Sequence, residues 1–179
     1  MTSNDLLVDA FSRVHGVVHQ AADNLTPDEL AFRVDGNTNS IAWLIWHLSR
    51  ITDDHVSDAA SKEQVWTGSG WVEKFGLPFP PDATGYGFGG DDVAAVKVKS
   101  GETLIGYFDE VIEEATRYVK HLKEDDYARV VDSSWNPPVT LAVHLVSVVS
   151  DALQHGGQAM FIRGTSSRRG SRAKVARPE

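Results

Sequence analysis

The spacing of apolar residues in residues 100–122 restricts the fold of this chain more than any other feature of its sequence. Apolar side chains recur there in alternating steps of four and three residues, which keeps them on one side of an α-helix for about five turns. They are Leu104, Phe108, Val111, Ala115, Tyr118 and Leu122. Such a stripe is buried when several helices pack around a shared core. The pattern therefore predicts an all-α helix bundle.

Three other segments repeat this helical spacing of apolar residues, so the chain should contain four long helices. The predicted helices span residues 4–22, 40–57, 100–122 and 140–163. Asn136-Pro137-Pro138 separates the last two, because a residue that precedes proline is disfavoured in the helical conformation. At 179 residues the chain has the usual length of a single domain.

Two segments lack the helical spacing. Residues 58–92 are rich in glycine and proline, and we expect a long irregular loop without regular elements between the second and third helices. Aromatic side chains favour a packed, functional loop, and they are Trp66, Trp71, Phe75, Phe79 and Tyr86. Beyond Gly164 the sequence is basic and lacks core-forming residues. We therefore expect a folded domain over residues 1–164 and a disordered tail over residues 165–179.

Composition excludes several classes of function. A net charge of -8 argues against nucleic-acid binding, which needs clustered basic residues to replace the counterions of phosphates. No apolar stretch approaches the ~20 residues that span a bilayer, and no secretory signal is recognisable, so a cytoplasmic location without membrane contact is expected. The chain contains no cysteine, so any metal must be held by His, Asp or Glu, and thiol chemistry would need a thiol from outside.

Asp151 and His155 are the strongest candidate metal ligands in the predicted fourth helix. Their spacing of four residues places them about 40° apart around the helix axis and about 6 Å apart along it, so they can share one ion. His144 has nearly the same azimuth but lies about 16 Å from His155 along the axis. His144 is therefore excluded from the same coordination sphere.

Histidines on the first two helices are ambiguous by position alone. His47 and His55 face the predicted core, where a histidine satisfied by ordinary hydrogen bonds is the commoner use. Facing Asp151 and His155 would make His47 a ligand, because bundles build metal sites from inward side chains of facing helices. His15 and His19 are also four residues apart, but each follows a core position and points towards solvent. They form either a rival metal pair or part of a solvated face.

Gly156-Gly157 directly follows His155 inside a predicted helix. Two glycines there cost roughly 1.5 to 2 kcal/mol relative to alanine, so another interaction must offset them. We expect either close packing of two helices or room for a ligand beside the ion.

The segments Asn39 to Leu48 and Asp151 to Ala159 together resemble the DinB-like superfamily, in particular its branch of mycothiol-dependent transferases. The likeness extends over Gly76-Leu77-Pro78 and covers about residues 5–164. It implies an up-down-down-up four-helix bundle that forms a homodimer. It also implies a metal held by one histidine of the second helix and two of the fourth.

By position, His47 and His155 match two of the three ligands that the resemblance implies, and Asp151 stands where the family has a histidine. A carboxylate binds zinc at ~2.0 to 2.2 Å but makes the site harder and adds a negative charge. One divalent ion is thus expected, and Zn, Ni, Mn or Fe(II) would accept this ligand set. Trp46, residues of the glycine-rich loop and Arg163 are expected to shape a substrate pocket; the sequence identifies no catalytic residue.

Three functions are compatible with this resemblance. The first is a metal-dependent transferase that joins a low-molecular-weight thiol such as mycothiol to an electrophilic small molecule, because a thiol bound to a cation is deprotonated at neutral pH. The second is a non-catalytic, stress-associated metal-binding protein. The third is a metal-dependent hydrolase, for which only Asp151 itself is available as general base.

Overall fold

The backbone of residues 1–175 and the side chains of residues 1–166 are described by a computed structural model. Four long helices form the bundle: α1 (Ser3–Ala22), α3 (Ile41–Ala60), α7 (Gly101–Lys120) and α8 (Leu141–Val175). The connections contain α2 (Pro27–Ala31), α4 (Val65–Gly68), α5 (Trp71–Phe75), α6 (Gly90–Ala95) and a 3-10 helix (Glu124–Ala128). An antiparallel pair of short strands, β1 (Val130–Asp132) and β2 (Val139–Thr140), precedes α8.

Two helix pairs of the bundle are antiparallel. The side-chain amide of Asn4, at the start of α1, donates to the carbonyl of Leu122 just past the end of α7. His47 early in α3 faces His155, and His55 late in α3 faces His144, so α3 and α8 also run in opposite directions. The remaining neighbours are parallel, and the helices therefore run up, down, down and up.

The parallel pairs are joined by hydrogen bonds at matching heights. The hydroxyl of Tyr107 donates to Asp53, and the hydroxyl of Tyr118 donates to the carbonyl of Ala59. The residue numbers increase together on both helices, so α3 and α7 run in the same direction. Arg163 of α8 donates to the carbonyl of Asp23 at the end of α1. The predicted all-α, up-down-down-up bundle is confirmed.

Burial follows the spacing from which the bundle was predicted. Leu104, Phe108, Val111 and Ala115 on α7 are almost fully buried, while Tyr118 is partly buried against the same core. The helix start at Ser40 also follows the sequence, because its hydroxyl accepts from the backbone N–H of Trp43 and satisfies a donor that the first turn leaves free.

The connection between α3 and α7 differs from the predicted irregular loop, because it contains α4, α5 and α6. A buried carboxylate explains the first of these. Asp53 accepts from the backbone N–H groups of Val65 and Trp66 at 2.9 and 2.8 Å, which caps the start of α4 from another helix. Local composition cannot reveal such a contact, so the expectation that no regular element forms here was wrong.

Arg50 holds residues 81–83 of this connection. Its fully buried guanidinium donates to the carbonyls of Ala83 and Pro81 and lies 3.6 Å from Asp53. The hydroxyl of Tyr107 completes the network at Asp53. Buried charges are stable only when paired and hydrogen-bonded, so this network holds the connection tightly against α3.

Close packing explains one of the two consecutive glycines. A Cβ on Gly156 would lie 2.7 Å from Cγ1 of Val17, so the side chain of Val17 on α1 packs directly against the backbone of α8 there. Gly157 faces space without another atom within 4 Å. Of the two expectations, close helix packing therefore accounts for Gly156.

The last helix continues past Gly164 to Val175, so its predicted end at residue 163 was wrong. Each glycine inside a helix costs only about 1 kcal/mol relative to alanine, so Gly164 and Gly170 do not end the helix, and the arginines, lysine and alanine around them are good helix formers. Residues 176–179 lie outside the described residues, and the division into a domain and a tail stays a prediction. In the described part of the chain, no helix is long and apolar enough to cross a membrane.

Candidate metal centre

The antiparallel arrangement of α3 and α8 brings together the three predicted ligands. The imidazole rings of His47 and His155 lie edge to face with their centroids 4.9 Å apart. One ligand atom from each of His47, Asp151 and His155 can be chosen so that all three lie within 4.8 Å of one another. Helical spacing predicted that Asp151 and His155 lie together on α8, and the alignment of α3 with α8 brings His47 to them.

Backbone carbonyls orient both imidazole rings. Nδ1 of His47 lies 2.6 Å from the carbonyl oxygen of Thr84, and Nδ1 of His155 lies 2.9 Å from that of Asp151. A carbonyl oxygen only accepts, so each Nδ1 carries a hydrogen and donates it. The lone pair of each neutral ring is then on Nε2, which is the arrangement that metal-binding histidines use.

Asp151 supplies an oxygen that lacks a hydrogen bond. Its Oδ2 is buried and has no hydrogen-bond partner among the described residues, and Nδ1 of His155 is 3.3 Å away. A buried polar atom without a partner costs about 1–3 kcal/mol. A cation shared with the two Nε2 atoms would satisfy this oxygen, so the residues fit a divalent metal.

The charges of the three groups are set by burial and by their mutual contacts. Burial lowers the pKa of His47, which keeps its ring neutral. The side chain of Asp151, whose Oδ2 lies 3.3 Å from Nδ1 of His155, raises the pKa of His155. Burial alone would raise the pKa of Asp151, but the close contact with His155 and the positive charge of its protonated ring outweigh burial and lower that pKa. These directions favour an ionised carboxylate at Asp151 and a neutral imidazole at His47.

Residues of α3 and the α3–α7 connection cover His47. The ring of Trp43 stacks on the imidazole at 4.5 Å with an angle of 15°. Gly85 follows Thr84 with φ +92°, and a Cβ there would lie 2.9 Å from Nδ1 of His47 and 2.9 Å from the ring of Trp46. Only glycine fits this position, both for its backbone conformation and for its space.

Trp46 and Arg163 occupy different parts of the bundle. Trp46 is 1% exposed, packs against Trp66, Phe79 and Phe88, and lies against Gly85 beside His47. Arg163 lines a different cavity, beside His19 and Asp23. Their predicted roles in substrate binding stay predictions.

A cavity of about 530 Å³ adjoins the ligands. Besides His47 and Asp151, it is lined by His55, Tyr86, His144 and Gln154. His55 and His144 lie edge to face at 4.7 Å, and Nε2 of His144 is 3.3 Å from the carbonyl of His55. Among the described residues, the group of possible ligands around His47 contains Asp151 and His155 and does not contain His144. Tyr86 belongs to the glycine-rich loop whose residues were expected to shape a pocket, and the fold of the connection places it at this cavity.

A second group of possible ligands lies between α1 and α7. His15 and His19, the rival pair of the sequence, meet Asp109 of α7. The sequence contained no signal for Asp109, since its proximity depends on how the two helices align.

Comparison with known proteins connects this geometry to a family. Residues 10–159 match the model of the DinB superfamily. A conserved protein from Enterococcus faecalis, solved by crystallography, is similar over 91% of this chain and 96% of its own, with 29% sequence identity and a TM-score of 0.86. No curated protein matches the sequence significantly.

Proposed function

Given that this chain belongs to the DinB superfamily, we propose that it is a divalent-metal-dependent transferase of a low-molecular-weight thiol such as mycothiol. The observation that carries the proposal is the buried Oδ2 of Asp151, which has no hydrogen-bond partner among the described residues and belongs to a group in which ligand atoms of His47, Asp151 and His155 lie within 4.8 Å of one another. Three protein ligands leave further coordination positions for a substrate. The adjoining cavity provides the room for one.

The residues of the site would prepare these ligands before a substrate arrives. Thr84 holds His47 in one tautomer, and the carbonyl of Asp151 does the same for His155. The carboxylate of Asp151 reduces the net charge of a bound divalent ion from two to one. A divalent cation held there would lower the pKa of a bound thiol and so supply a thiolate at neutral pH.

The thiol must come from outside, because the chain contains no cysteine. Its proton goes to solvent, its sulfur forms a bond to the electrophilic carbon of the second substrate, and the leaving group departs with the bonding electron pair. The cavity beside His47 and Asp151 would hold the electrophile close to the sulfur.

Metal analysis tests the first requirement. The purified wild-type protein should bind one Zn, Ni, Mn or Fe(II) ion at this site, and His47→Ala should lose it. His121→Ala is the matched control, because His121 is exposed and its Nδ1 only donates to the carbonyl of Arg117. If His47→Ala binds metal as well as the control does, the centre does not hold the ion.

A rate measurement tests the reaction itself. The metal-loaded protein is incubated with mycothiol or another small thiol and a chromogenic aryl chloride, and the release of chloride is followed. We expect a rate that His155→Ala reduces to the uncatalysed background and that His121→Ala retains. Stoichiometric metal without any rate above that of His155→Ala, across thiols and metals, would refute the transferase and favour a structural ion.

A further inference from the structure

Among the described residues, His15, His19 and Asp109 form a second group with the geometry of a metal site, separate from the candidate centre. His15 and His19 are one turn apart on α1, with ring centroids 4.1 Å apart. Asp109 projects towards them from α7, which packs antiparallel to α1. The group thus joins two elements of the bundle, as the first centre does, but uses the other pair of helices.

Both imidazoles present the same atom to one oxygen. Nε2 of His19 lies 2.7 Å from Oδ1 of Asp109, and Nε2 of His15 lies 3.2 Å from it. Ligands of a tetrahedral zinc ion, with bonds of about 2.0 to 2.2 Å, are about 3.3 Å apart. If the carboxylate of Asp109 moved about half an ångström away from the two imidazoles, an ion would fit between the three ligand atoms.

The group is open to solvent. The side chains of His15, His19 and Asp109 are 45, 36 and 41% exposed to solvent, so an ion can reach them without any rearrangement of the core. The adjoining surface includes Glu113, whose carboxylate is paired with Arg117 and leaves Asp109 as the nearest acidic ligand. An exposed pair of imidazoles with one carboxylate accepts Zn, Ni or Cu ions.

We propose that His15, His19 and Asp109 bind a second divalent transition-metal ion. Because its ligands are exposed, this ion binds more weakly and exchanges faster than one held between α3 and α8. The proposal does not depend on thiol transfer and concerns binding alone.

Zinc titration of the metal-free, full-length protein tests the proposal. Calorimetry should detect two sites in the wild type and one in each of His155→Ala and His19→Ala. Asp109→Asn preserves the shape of the side chain but replaces the carboxylate, and it should weaken the second site by about tenfold or more. His121→Ala removes an exposed histidine elsewhere and should keep both sites.

The variants separate this proposal from the first metal centre. A wild type that binds a single ion, lost in His155→Ala and kept in His19→Ala and Asp109→Asn, would overturn the second site. A single ion lost in His19→Ala and kept in His155→Ala would support it, even though the first centre had failed. Circular dichroism of each variant checks that the bundle is intact.

A thermal melt distinguishes a metal site from a plain hydrogen-bonded contact. If the second site exists, zinc should raise the melting temperature of His155→Ala by more than it raises that of the His155→Ala, His19→Ala double variant. Equal increases in these two proteins would mean that His19 contributes a hydrogen bond to Asp109 and no metal ligand, which contradicts the proposal.

Discussion

Replacing Gly85 by alanine tests how the α3–α7 connection supports the metal centre. The backbone at Gly85 has φ +92°, and a residue with a Cβ in such a conformation costs of order 1–3 kcal/mol. The new Cβ would also lie 2.9 Å from Nδ1 of His47, and overpacking of this kind costs typically 1–3 kcal/mol. Gly85→Ala should therefore lower the free energy of unfolding by about 2–6 kcal/mol.

The same substitution should weaken metal binding. To avoid the clash, the connection must move away from His47, which breaks the hydrogen bond from Nδ1 to the carbonyl of Thr84. Loss of such a partner of a metal-binding histidine typically costs 10–100-fold in affinity. Urea unfolding of the metal-free protein measures the first effect, and zinc calorimetry measures the second.

Gly87→Ala provides the matched control. Gly87 has φ +75° but no other atom within 4 Å of an added Cβ, so its replacement introduces backbone strain alone. It should lower stability by about 1–3 kcal/mol and leave the zinc affinity unchanged. If Gly85→Ala and Gly87→Ala bind zinc equally well, the connection does not orient His47 and the reasoning is refuted.

Three further outcomes follow from packing, buried charge and protonation. Gly156→Ala should lower the free energy of unfolding by about 1–3 kcal/mol, whereas Gly157→Ala should be neutral or stabilise by up to about 1 kcal/mol; equal effects in urea unfolding would contradict the close helix approach. Asp53→Asn leaves the charge of Arg50 buried without a counterion and should cost about 3–5 kcal/mol, and a loss below 1 kcal/mol in the same assay would argue against the network. The raised pKa of His155 means that zinc must displace its proton, so affinity should fall as pH is lowered through that pKa, by up to about tenfold per pH unit. Calorimetry in buffers of different ionisation enthalpy should detect a released proton, and pH-independent affinity between pH 5 and 7 would rule this out.

The bundle and part of the centre were predictable because they follow from local periodicity. A spacing of four residues on one helix fixes the separation of Asp151 and His155 without any knowledge of the fold. The partnership with His47 needs the alignment of α3 and α8, which only the family resemblance implied.

The remaining features depend on contacts between segments distant in sequence. Asp53 caps α4 from α3, so local composition predicted a loop where short helices form. Asp109 reaches His15 and His19 because of the relative height of α1 and α7, which apolar spacing leaves undetermined. The continuation of α8 past Gly164 and Gly170 reflects how little each glycine disfavours a helix.

The hydrogen bond between His47 and Thr84 makes the connection and the ion mutually dependent. If an ordered connection strengthens metal binding, thermodynamic reciprocity requires that a bound ion stabilise the ordered connection by the same free energy. Proteolytic cleavage near Thr84 should therefore slow down as zinc saturates the site. Metal supply would then set the lifetime of this segment as well as the occupancy of the site.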